Sequence, residues 1–168
     1  MAKLLAAACF LPLFPLSVVF NALLARLPTP GLRGLMLLLW PGAGVVLLKE
    51  LASPIPEFVA PWALATAALY ALRLITVRDL ELWTGLFATS AYALAWLAPL
   101  RDEPLRLGAF VAGFALPAAG LMLTAGAIGH RLGAAYAGLP ATLGGTPRLA
   151  LLLTLLLLAA VATPPAPG

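Results

Sequence analysis

The sequence predicts an all-α protein, a single polytopic bundle of five or six membrane-spanning helices occupying residues 1–168. Three observations predict it. Apolar residues make up 63% of the chain and charged residues 10%, where a soluble domain carries about 25% charged residues. Mean hydropathy is +1.06, which leaves too few polar side chains to coat a water-facing globule. The apolar residues are gathered into six runs, and the charges fall between them. An ordinary soluble enzyme and a disordered chain are excluded. The net charge of +4 is dispersed in ones and twos, so no basic stripe exists to neutralise phosphates and no nucleic-acid partner is expected.

A spanning helix needs roughly 20 mostly apolar residues, because the hydrocarbon core is about 30 Å thick. The first run, Leu4–Ala25, is interrupted by Pro12 and Pro15. It is too long for a signal-peptide core and has no convincing cleavage site, so it reads as a retained first span. Cys9, the sole cysteine, permits neither an internal disulfide nor a thiolate metal site and reads as structural. The second run, Leu35–Leu48, is short and carries Pro41-Gly42; the third is Phe58–Val77 and the fourth Leu82–Leu100. The fifth is Leu107–Ile128, and the sixth is Leu149–Thr163, ended by Pro164-Pro165. Proline removes a backbone donor and clashes with the preceding turn. Helix two or helix five is therefore expected to break, at Pro41 or at Pro117.

If all six runs span, Arg26, Arg33, Arg73, Arg78, Arg131 and Arg148 share one side, and Lys3, Lys49, Arg101 and Arg106 share the other. The positive-inside rule then puts the six arginines in the cytoplasm. Arg78 and Asp79 are expected at the membrane surface, with Arg73 snorkelling toward them. Helix five is rich in small residues, which let membrane helices approach closely. Ala112, Gly113, Ala119 and Gly120 are expected at helix–helix contacts, some of them with another polypeptide.

Catalytic chemistry is missing. No Asp, Glu, Lys or His lies near the centre of any run, although such groups mark ion paths and proton relays in membranes. His130 beside Arg131 reads as part of a solvated loop. Asn21, Thr66, Thr89, Thr124 and Thr154 can cap or cross-link helices. There is no phosphate-binding glycine loop, no nucleophile with a nearby base and no set of metal ligands, so neither a catalytic site nor a cofactor is expected in this chain.

Three stretches together resemble the antiporter-like, proton-pumping membrane subunits of respiratory complex I, of multisubunit cation/proton antiporters and of membrane-bound hydrogenases. The first is Pro28-Thr29-Pro30, followed by an apolar helix with Ala43-Gly44-Val45. The second is Arg78-Asp79-Leu80-Glu81. The third runs from Ala125-Gly126-Ala127 through His130-Arg131 to Leu143-Gly144-Gly145 and Pro147-Arg148-Leu149-Ala150. This chain has room for the middle of that family's larger core plus one leading helix. The family's relay lysines correspond to Gly42 and Ala118, and its relay histidine to Ala91. All three positions are small and non-ionisable here, so the resemblance implies location and company without the pumping.

The expected function is thus a structural, non-pumping subunit of a redox-linked ion-translocating complex, a membrane oxidoreductase of the complex I or hydrogenase kind. Its partners would be the other membrane subunits and the lipid bilayer, its location a bacterial-type cytoplasmic membrane. The competing expectations are a small stand-alone or oligomeric transporter or channel, for which proline-broken helices would suit, and a membrane assembly factor.

Overall fold

The structure is a computed structural model that describes residues 2–50, 55–98, 104–133, 135–136 and 147–162. Among these residues seven α-helices follow one another: α1 Ala2–Phe10, α2 Leu16–Arg26, α3 Pro30–Lys49, α4 Val59–Thr76, α5 Leu80–Leu94, α6 Pro104–Leu132 and α7 Pro147–Ala162. A single 3-10 turn, Ala95–Leu97, extends α5. Among the described residues there is no strand, only an isolated bridge between Asp79 and Tyr136. Three helical stretches are long and apolar enough to cross a membrane: Pro30–Lys49, Val59–Thr76 and Leu107–Leu132.

Local chemistry sets the helix starts. Pro30, Pro104 and Pro147 each occupy the first position of a helix, where a missing N–H costs nothing and a fixed φ is already helical. Thr29 caps α3 by accepting from the Leu32 N–H at 3.3 Å, and Asp79 caps α5 by accepting from Leu82 N–H at 2.9 Å. Side-chain oxygens at this position satisfy donors that the helix itself cannot. At the other end of α6, Gly133 follows the last helical residue with φ of +76°, a left-handed cap that favours glycine. His130 and Arg131 lie in the last turn of α6. His130 is therefore exposed on a helix rather than in the expected loop, and the charge of Arg131 beside it complements the helix dipole.

The break expected at Pro41 or at Pro117 does not occur. Both α3 and α6 are helical straight through Pro41 and Pro117. At Pro41 the physical reason is visible. Proline offers no N–H to the carbonyl four residues back, Leu37, and the Tyr92 hydroxyl of α5 donates to that carbonyl instead, at 2.6 Å. Tyr92 is fully buried. The orphaned acceptor is satisfied from a neighbouring helix, and the turn survives. The break falls instead between α1 and α2, in the stretch containing Pro12 and Pro15. α3 also begins five residues earlier than its apolar run, because Thr29 and Pro30 start the helix ahead of the first leucines.

The core is built by α1 to α6 around Leu11, Leu13, Phe20, Leu37, Tyr92, Trp96, Leu107 and Met122. α7 packs on the rim, against α6, where a Cβ on Gly120 would come within 2.7 Å of Leu156. The α3–α6 crossing is the tightest in the bundle. A Cβ on Gly34 would sit 3.4 Å from the Ala119 carbonyl, and one on Gly126 would overlap the ring of Pro30.

The Pro41–Tyr92 pairing generates a double-mutant test. Y92F should destabilise the protein by about 1–3 kcal/mol, the cost of leaving a buried acceptor unpaired. In the P41A background, alanine returns the N–H to Leu37 and the same substitution should cost clearly less. Thermal unfolding in mild detergent measures both; equal losses in the two backgrounds would remove the compensating role of Tyr92.

Candidate functional site

The most distinctive polar arrangement is the unwound connection between α1 and α2, residues 11–15. Some of its amides bond locally: Leu11 N–H to Ala7 C=O at 2.8 Å, Leu13 N–H to Ala8 C=O at 3.2 Å and Ser17 N–H to Leu13 C=O at 2.9 Å. Its remaining partners come from three other elements. The indole N–H of Trp40, on α3, donates to the Cys9 carbonyl at 3.1 Å. That of Trp96, in the 3-10 turn, donates to the Leu11 carbonyl at 2.9 Å. That of Trp62, on α4, donates to the Phe14 carbonyl at 2.7 Å. Thr66, one turn along α4, accepts from the Phe14 N–H at 3.2 Å and donates to the Trp62 carbonyl at 2.9 Å.

Three of the four tryptophans thus point at one chain break. An indole N–H only donates, so each ring is committed to its carbonyl. Trp40 also packs between the two half-helices, with ring centroids 5.0 Å from Phe10 and 6.2 Å from Phe20. Gly44, one turn after Trp40, lets the break approach α3 closely: a Cβ there would lie 2.7 Å from Leu11 Cγ and 3.1 Å from the Leu11 nitrogen.

A second polar row runs from the break toward the opposite end of α2. Tyr70 Oη donates to Ser17 Oγ at 2.9 Å in a buried contact. Asn21 Nδ2 donates to the Ser17 carbonyl at 2.8 Å and to Thr89 Oγ1 at 2.9 Å, and Thr89 donates to the Gly85 carbonyl at 2.8 Å. The expected cross-linking by Asn21, Thr66 and Thr89 is therefore present, tying α2 to α4 and α5. Thr124 and Thr154 instead bond back to carbonyls of their own helices, Gly120 and Ala150.

Beyond Asn21 the row opens into a cleft of about 160 Å³ lined by Asn21, Leu24, Arg33, Asp79 and Glu81 among others. Here the Arg33 guanidinium pairs with the Glu81 carboxylate, while its Nε donates to the Leu27 carbonyl at 2.8 Å and its Nη2 to the Ala25 carbonyl at 3.4 Å. Among the described residues this is the one ion pair, and it joins α3 to α5 and to the end of α2. Arg73 and Arg78 are exposed and take no part in it; Asp79 is half-buried and used as the α5 cap. Glu81 is thus held by Arg33, a partner from a distant helix, and not by Arg73.

The positions singled out from the resemblance do not converge. Ala91 and Ala118 are buried, whereas Gly42 is exposed and has no atom within 4 Å of where a Cβ would be. Of the small residues on α6, Gly120 meets α7 and Ala119 meets α3, Gly113 is half-buried and Ala112 is exposed. Leu143-Gly144-Gly145 lies outside the described residues. The tryptophans were not anticipated from the sequence. The available signal was an indole in mid-helix, Trp40, in a chain whose first apolar run is broken by two prolines and so needs donors.

Removing one indole donor should cost about 1–3 kcal/mol where the orphaned carbonyl stays dry. W96F removes a fully buried ring and should destabilise more than W62F, whose hydrogen bond is exposed. Unfolding midpoints of the two variants in the same detergent check the order; a larger loss in W62F would contradict it. Compared with known protein families, with curated proteins and with solved structures, the chain matches none of them.

Proposed function

We propose that this chain is a structural, non-pumping membrane subunit of a redox-linked ion-translocating complex, in the manner of complex I or a membrane-bound hydrogenase, seated in a bacterial-type cytoplasmic membrane. On this reading α1 and α2 form one interrupted span. Their nine and eleven residues, at about 1.5 Å rise each, cover about 30 Å, the thickness of the hydrocarbon core. With α3, α4, α6, the α5 helix and its added turn, and the shorter α7, the bundle has five or six spans.

The observation that carries the reading is the occupancy of the broken helix. In transporters, unwound backbone at membrane depth offers its carbonyls to the coupling ion. Here the Cys9, Leu11 and Phe14 carbonyls are taken by Trp40, Trp96 and Trp62, and the Leu37 carbonyl by Tyr92. The groups continuing inward from the break are the hydroxyls of Ser17, Thr89 and Tyr70 and the amide of Asn21, with no carboxylate, lysine or histidine in the row. Arg33, Asp79 and Glu81 lie in the first turn or cap of a helix, where the apolar spans end. The outer face of α6, with Ala109, Ala112 and Leu116 exposed, is available for helices of a neighbouring subunit.

Purified through a tag in mild detergent, the chain should migrate within a large complex that contains redox subunits; recovery as a small isolated species would overturn the proposal. Reconstituted alone into vesicles, it should not dissipate an imposed pH gradient, and rapid collapse of the gradient would restore a transport role.

A further inference from the structure

We infer that the groove along α3, flanked by Phe10 of α1 and by Leu27 after α2, holds one acyl chain of an anionic phospholipid, whose headgroup is bound at Arg26. This goes beyond the subunit role and rests only on the chain spanning a bilayer. The groove has a volume of about 420 Å³ and is lined by Phe10, Leu27, Leu32, Leu35, Leu39 and Trp40 together with a methionine and an alanine, with no charged or hydroxyl side chain among them.

Its depth selects the occupant. Along α3 the lining runs from Leu32 to Ala43, eleven steps of about 1.5 Å or roughly 16 Å, which is close to half of a hydrocarbon core about 30 Å thick. The lining ends at Ala43, and at the next residue, Gly44, Leu11 and Phe10 press against the helix. A spanning helix of another subunit or of a second copy would need the full thickness. An acyl chain from one leaflet needs half of it.

Charge selects the headgroup. The groove's open end is the start of α3, the level of Leu27 and Leu32. Arg33 is turned away from it, onto Glu81 and the Leu27 and Ala25 carbonyls. Arg26, the last residue of α2 and the neighbour of Leu27, is exposed and makes no ion pair among the described residues. It lies about 140° around α2 from Asn21, whose side chain is directed at α5, so Arg26 is on the flank away from the Asp79–Glu81 cleft. An exposed arginine at the phosphate level, on the flank away from Asp79 and Glu81, favours an anionic headgroup.

The test uses the full chain in bilayers of phosphatidylcholine containing chain-brominated phosphatidylglycerol or chain-brominated phosphatidylcholine. The readout is the part of tryptophan quenching that disappears in W40F. Half-maximal quenching should need about fivefold less brominated phosphatidylglycerol than brominated phosphatidylcholine, the effect expected of one arginine near the surface, and R26Q should bring the two together. Native mass spectrometry of lipids retained by the wild type and by R26Q makes the same comparison without the indole. Equal midpoints in the wild type, or an undiminished preference in R26Q, would overturn the proposal. So would quenching of the other tryptophans with none of Trp40, which would mean that a protein helix covers the groove. If lipids of both kinds quenched no tryptophan, the membrane reading itself would fail.

Discussion

Everything in this bundle hangs on finding donors for backbone carbonyls left without an amide partner by proline and by the interruption between α1 and α2. A backbone acceptor left dry costs about as much as a lost hydrogen bond several times over in hydrocarbon, because no solvent replaces the partner. The answer is to bring donors from other helices. Trp40, Trp62 and Trp96 reach the break between α1 and α2 from α3, α4 and the turn after α5, and Tyr92 reaches the Leu37 carbonyl behind Pro41. Each of these bonds joins residues far apart in sequence, so satisfying the backbone and assembling the tertiary structure are one event. The aromatic rings contribute packing at the same positions: Trp40 bridges Phe10 and Phe20, and Phe20 meets Tyr92 edge-on at 6.4 Å.

The opposite end of α2 is fixed by different chemistry. There the helices start and stop, water is near, and charged groups are tolerated. Thr29 and Asp79 cap their helices, Arg33 joins Glu81 to two carbonyls at the end of α2, and the Leu80 N–H bonds to the Ala135 carbonyl at 2.9 Å. Gly126 allows α6 to cross directly over Pro30. Partly exposed ion pairs contribute roughly 0–1 kcal/mol, so this node orients the helix ends more than it stabilises them. It also gives local roles to the stretches Pro28-Thr29-Pro30 and Arg78-Asp79-Leu80-Glu81: cap, first helical proline and inter-helix carboxylate.

The all-helical class and the order of the apolar segments were legible because hydrophobic length is a property of each segment by itself, although six runs became seven helices, three of them with stretches long and apolar enough to span. Helix ends were legible where a cap or a first-position proline stands, as at Thr29-Pro30 and Asp79, although the apolar-run criterion started α3 too late. The breaks were misread for a definite reason. A proline's effect depends on whether a donor from elsewhere reaches the carbonyl it frees, and Tyr92 lies 55 residues from Leu37. Pro41 is compensated and Pro12 with Pro15 unwinds the chain, yet nothing local to Pro41 distinguishes the two cases. The Arg33–Glu81 pair was missed likewise: Arg73 is nearer to Glu81 in sequence, but α3 and α5 both start at this end of the bundle, which brings Arg33 to it.

An interrupted helix is compatible with two opposite behaviours, and the identity of the donors separates them. Where water or a bound cation satisfies the free carbonyls, the partner can leave, and the break can serve as a site. An indole N–H is covalently fixed to its helix, donates once and cannot accept. For a cation to reach the Leu11 carbonyl, Trp96 must first rotate out of a fully buried position, which opens a cavity and leaves its own N–H unpaired. Trp40 is restrained in the same way by Phe10 and Phe20. The cost of exchange falls on several packed rings at once, so the break behaves as a joint closed from three sides. A closed joint of this kind holds two half-helices against three other elements of the bundle.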